Sequence, residues 1–222
     1  MLKTWPMLKS LLWKESRELL PLVAAAVAAQ IFLIGGMMRW QGNPHQDAYG
    51  IWPLLYVTAV LLAVAAGFWQ TWRESLSSQF QFLLHRPLAR KRIFEVKISF
   101  GLIIVMIFAA LPLLCFSLWA DGWMGLHIQG AQLSNASIQL CALIPLLYLG
   151  AFLSGVRAGQ WYGSRFLPLF GAILLSVVIG VVGDSLVAAS LWSWIAALAA
   201  GPAMAVGFVA ATLHVTETRD FS

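Results

Sequence analysis

Six apolar runs constrain this chain more than any other feature. They are Leu19 to Met38, Gly50 to Trp69, Ile98 to Ala120, Ile138 to Val156, Phe166 to Gly183 and Leu191 to Leu213. Each is close to the ~20 residues that a helix needs to cross a bilayer. In hydrocarbon the backbone must satisfy its own polar groups, and a run of this length does so as a helix. Charged residues make up only 10% of the sequence, too few to cover a soluble domain when such domains carry roughly 25%. The expected fold is therefore an all-α membrane protein with six transmembrane helices, forming one domain over residues 1–222. A basic, nucleic-acid-binding reading of the net charge of +5 loses to this one, because the basic residues gather at span ends.

The connectors set the orientation. Arg39 to Tyr49 is short and polar, Asp121 to Ser137 contains no Lys or Arg, and Asp184 to Ser190 carries one acid. Trp72 to Lys97 is long and basic, and Arg157 to Arg165 is short and basic. With both termini inside, every one of the 14 Lys and Arg residues except Arg39 lies on the cytoplasmic side. Trp5, Trp13, Trp69, Trp72 and Trp161 then fall near the inner interface. Trp40, Trp52, Trp119, Trp123, Trp192 and Trp194 fall near the outer one, as in an aromatic belt.

The segment from Trp72 to Lys97 is the expected working surface. Leu76, Phe80, Leu83 and Leu84 recur at helical spacing and make one apolar face. Pro87 breaks or restarts the helix and divides the segment. The piece before it carries the apolar face, flanked by Glu74 and Arg86. The piece after it is a collar with Arg90, Lys91, Arg92 and Lys97 that leads into the third span. Charges alone would suit anionic lipid, but an apolar face with flanking charges that fix register suits docking on a protein. At the N-terminus, residues 1–18 read as an amphipathic helix in the inner interface. Leu8, Leu11, Leu12 and Trp13 form its apolar side, and Lys9, Lys14, Glu15 and Arg17 the others.

Several chemistries find no support in the sequence. No Lys, Arg, Asp or Glu falls at the centre of a run, where coupled carriers need one. Gln30, Thr58, Ser117, Tyr148 and Ser176 read first as helix–helix hydrogen-bonding groups. No catalytic residue is expected, and the four histidines stand without metal-ligand partners. The nearest approach to a serine-protease motif, around Ser164, belongs to a charged loop. No phosphate-binding glycine loop is present. Cys115 and Cys141 read as small buried apolar residues. Gly155, Gly159 and Gly163 suit either a small-residue packing face or a flexible loop.

Taken in order, Glu74, Leu83-Leu84, Pro87, Arg90-Lys91-Arg92 and Lys97 resemble the cytoplasmic loop of type-two exporter permeases of ABC transporters. Leu11-Leu12-Trp13-Lys14-Glu15 is similar to the start of such permeases. The sequence departs from the pattern at Ser75, where a small Gly-Thr step is usual, and in the short connection between the fifth and sixth runs. The resemblance implies a coupling helix over 72–97, with Glu74, Leu76, Phe80, Leu83, Leu84, Arg86, Pro87 and Arg90 docking into a separate ABC ATPase. It further implies a second permease chain, as homodimer or heterodimer, in the inner membrane among its lipids. ATP and Mg would reside on the ATPase, with no cofactor or metal on this chain and no enzymatic activity of its own. Apolar spans favour a lipid-like or amphipathic cargo. The alternatives are a force-transmitting scaffold subunit that engages an external partner and, from another class, an intramembrane enzyme.

Overall fold

The computed structural model describes residues 5–39, 44–76, 90–112, 115, 143–156, 162–187 and 203–214, and all of the regular structure among them is helical. The helices are α1 (Trp5–Arg39), α2 (Pro44–Leu76), α3 (Arg90–Val105, continuing through a π-helical turn at Met106–Ala110), α4 (Leu143–Val156), α5 (Tyr162–Arg165), α6 (Leu167–Val187) and α7 (Ala203–His214).

The 35 residues of α1 give a helix about 52 Å long, well beyond the ~30 Å of a hydrocarbon core. This differs from the expected arrangement, in which residues 1–18 form a helix distinct from the first span. The cause is local. No glycine separates the two parts, and Lys14 pairs with Glu18 one turn on, Nζ to Oε1 3.9 Å. Pro21 removes only one backbone donor, so the helix propagates through it. Pro44 opens α2 at the first helical position, where its missing N–H costs nothing. The helix then runs seven residues past the expected span end at Trp69, to Leu76. Helix α3 begins inside the basic collar, at Arg90, and enters the third apolar run without a break.

Contacts fix the helix directions. Glu15 and Gln30 of α1 meet Lys97 and Phe108 of α3 in the same order, so these two helices run parallel. A Cβ on Gly67 would strike α4 at Tyr148 and Ala151, and one on Gly155 would strike Thr71, so α2 and α4 are also parallel. Phe94 packs edge-on against Phe152 while Gly101 faces Tyr148, which makes α3 and α4 antiparallel. Leu169 and Ala172 of α6 meet Ser154 and Gly150 of α4 in reversed order. From α1 to α6 the chain therefore alternates in direction, with the short α5 turn leading into α6. The core between these helices holds Leu19, Leu55, Ala59, Ala63, Ala66, Phe94, Ile98, Val105, Ile144, Tyr148 and Phe152. Small residues on α2 and α4, Ala59, Ala63, Gly67, Ala151 and Gly155, allow the two backbones to approach closely.

Two stretches are long and apolar enough to cross a membrane, Lys9–Gly36 and Pro53–Trp72. Leu143–Val156, Leu167–Val178 and Ala203–His214 are shorter apolar helices. Much of the outward surface is apolar: Phe32 is 80% exposed, and Ile31, Leu61, Phe170 and Leu174 are also exposed. Cys115, expected as a buried apolar residue, is exposed. The outward face of such a bundle is as apolar as its core, so composition alone does not separate the two.

Candidate functional site

Helix α2 ends at Leu76 and α3 begins at Arg90, so these two helices are the stems of the segment that the sequence singles out. Glu74 and Leu76 occupy the last turn of α2, and Arg90 opens α3. Phe80, Leu83, Leu84, Arg86 and Pro87 lie outside the described residues. The stems emerge at one end of the bundle, the basal end. Trp13, Trp69 and Trp72 are exposed there.

A chain of polar groups crosses the core at the basal end. Lys97 of α3 pairs with Glu15 of α1, Nζ to Oε1 2.8 Å, and both side chains are almost wholly buried. Gln70 of α2 donates from Nε2 to the other carboxylate oxygen of Glu15 at 3.1 Å. Tyr148 of α4 donates its hydroxyl to Gln70 Oε1 at 2.6 Å. The polarity is consistent throughout. An ionised carboxylate only accepts, and here Oε2 receives the Gln70 amide while Oε1 faces the Lys97 ammonium as an ion pair. The Gln70 amide must then turn its nitrogen to Glu15, which leaves its oxygen for Tyr148. Gly101 makes room for the network, because a Cβ there would collide with the Tyr148 hydroxyl.

Four helices thus meet through one buried ion pair and the two hydrogen bonds that extend it. Burying an isolated charge is expensive; burying a paired and hydrogen-bonded one is tolerable, and removing one partner restores the full penalty. The network works as a fastener that is either complete or costly.

Neither charged segment marks this site by its composition. Glu15 was expected on a polar face of the N-terminal helix, and Lys97 in a basic collar; both are core residues. The signal was present as spacing. Leu11, Glu15, Leu19 and Val23 recur every four residues and are all buried. Gln70 extends the stripe of Ala59, Ala63 and Ala66 on α2. A polar residue embedded in an apolar helical stripe is a core residue looking for a partner. Within the expected apolar side of the N-terminal helix, Leu11 is buried with Ile93 against α3, Leu12 is half-buried and Trp13 is 68% exposed. The side chain of Leu8 is not among those described.

A second basal contact joins α2, α4 and α5. The Arg165 guanidinium stacks over the Trp72 ring at 5.4 Å and donates to the Gly155 carbonyl at 3.2 Å. Trp72 and Phe166 each pack edge-on against Phe68. Gly155 therefore serves as a packing glycine against Thr71.

The other polar groups divide. Gln30 bridges α1 to the Phe108 carbonyl of α3 at 3.2 Å. Thr58 and Ser176 instead bond to carbonyls of their own helices, at Leu55 and Ala172. Among the described residues no cluster of His, Cys, Asp and Glu could hold a metal ion. No protein-family model, curated protein or solved structure matches the chain.

Proposed function

We propose that the chain is the membrane-spanning permease subunit of an ABC-type exporter. It works as a dimer of permease chains and is driven by a separate ATPase docked on the 72–97 segment. The observation that carries the reading is the buried Glu15–Lys97–Gln70–Tyr148 network at the root of that segment. Gln70 and Lys97 stand on its two stems, six residues before Leu76 and seven after Arg90. A displacement of the segment is therefore delivered at once to α1, α2, α3 and α4. A basic collar that only held lipid would have no use for a charge-paired anchor inside the core.

The membrane setting has its own support. The most apolar window of α1 is only 17% buried, which in water would leave a large apolar face exposed. The alternation of α1 to α4 and α6 suits successive crossings. The exposed Trp13, Trp69 and Trp72 suit an interface at the basal end, which the charge distribution makes cytoplasmic. On this reading six spans surround a pathway at the interface between two chains. The apolar lining favours a lipid-like or amphipathic cargo.

The test is co-purification with candidate ABC ATPases of the same cell, first of the wild-type chain and then of Phe80→Asp and Leu84→Asp. A charge placed in an apolar anchor is expected to cost at least ~2 kcal/mol of docking, more than tenfold in affinity. Unchanged complex formation and unchanged stimulation of ATP hydrolysis in both variants would sink the proposal.

A further inference from the structure

Helix α3 changes its hydrogen-bonding pattern in the middle of the apolar run. Over Met106–Ala110 the backbone is π-helical, and the Leu111 N–H reaches back five residues to the Met106 carbonyl. Pro112 follows directly. In an α-helix the Phe108 carbonyl would receive the N–H of residue 112, and proline has none. Gln30, 4% exposed in the core, reaches across from α1 and donates its amide to that carbonyl at 3.2 Å. A side chain from a neighbouring helix thus supplies the bond that the proline removes. Single π turns and proline sites are where helices bend.

The setting gives the bend a direction. Eleven residues nearer the basal end, α3 is tied to α1 by the buried Lys97–Glu15 pair. At the π turn the same two helices share one neutral hydrogen bond. The basal part of α3 is thus anchored by charge, and the π turn itself is held by Gln30.

We infer that Met106–Ala110 is a hinge in α3 and that Gln30 is the latch holding this turn against α1. Release of the amide lets the turn bend away from α1, carrying Leu111 with it, while the basal part of α3 stays fixed. The inference rests on the chain being membrane-embedded and does not depend on ATPase docking, so loss of docking in the experiment above leaves it standing.

The test uses the full chain in lipid nanodiscs, with Cys115→Ser and Cys141→Ser as background. Spin labels replace Ile31 and Leu111, both exposed, across the latch. A control pair replaces the exposed Arg17 and Ser99 across the basal end. Gln30→Leu is expected to widen the 31–111 distance distribution and leave the 17–99 distribution unchanged. Adding Pro112→Ala returns an N–H to the Phe108 carbonyl and is expected to narrow the 31–111 distribution again. An unchanged 31–111 distribution in Gln30→Leu overturns the inference. Equal widening of both pairs, or no narrowing by Pro112→Ala, overturns it as well. Should Gln30→Leu fail to fold, Pro112→Ala alone decides: narrowing below wild type supports the hinge, and an unchanged or wider distribution overturns it.

Discussion

Helices α1 and α3 touch at two levels by different means. At the basal level Lys97 and Glu15 form a buried ion pair that Gln70 and Tyr148 extend into α2 and α4. At the distal level one glutamine amide meets one backbone carbonyl beside a π turn. The ion pair can hardly be broken halfway, because separation leaves a charge in the core. The neutral bond can be exchanged at small cost, because interhelical hydrogen bonds in membranes contribute only ~0.6 kcal/mol on average. One pair of parallel helices is thus fastened at one end and adjustable at the other.

The comparison breaks most readily at the ion pair. Lys97→Met or Glu15→Leu alone is expected to cost about 3–5 kcal/mol, read as a lower midpoint in SDS-titrated unfolding from mixed micelles. The double variant Glu15→Gln with Lys97→Met keeps an acceptor for Gln70 and removes both charges. It is expected to recover most of that loss; if it is no better than the single variants, the pair is not what holds the basal end.

A smaller effect is expected at Gly101. Gly101→Ala pushes a methyl group into the Tyr148 hydroxyl and is expected to cost about 1–3 kcal/mol in the same assay. Tyr148→Phe removes one hydrogen bond and leaves Gln70 Oε1 without that donor, for about 1 kcal/mol. Combined, the two substitutions are expected to cost less than their sum, since the clash and the bond share one oxygen. Full additivity would place Gly101 outside the network. Gln30→Leu is expected to lower stability by only ~0.6 kcal/mol. A loss as large as that of the Lys97 variant would abolish the contrast between the two levels. Lys14→Ala, at the partly exposed pair with Glu18, is expected to change stability by no more than ~0.5 kcal/mol.

Much of the fold was legible from composition. Runs of helical length with few charges predict helices, and the regular structure of the described residues is helical. The N-terminal segment was misread because Lys14, Glu15 and Arg17 together look like a solvated face. Only the one-in-four recurrence of Leu11, Glu15, Leu19 and Val23 shows that Glu15 belongs with the apolar residues. Lys97 was hidden in the same way by its basic neighbours. Gln30 was recognised as a helix–helix group, but its partner is a backbone carbonyl that no side-chain pattern marks. Pro112 does flag that carbonyl, since a proline in a helical run always leaves the fourth residue before it short of a donor.

The sequence by itself determined that this chain makes long apolar helices, because hydrophobicity and length are local sums over consecutive residues. It determined as well that the Lys and Arg residues collect at particular ends of the apolar runs. Only the tertiary structure decided which polar groups meet. Glu15, Gln70, Lys97 and Tyr148 come from four helices and as many as 133 residues of chain, yet close into one hydrogen-bonded set. Such partnerships depend on helix direction and rotation about the axis. The apolar pattern narrows those choices, and packing at Gly67, Gly101 and Gly155 completes them.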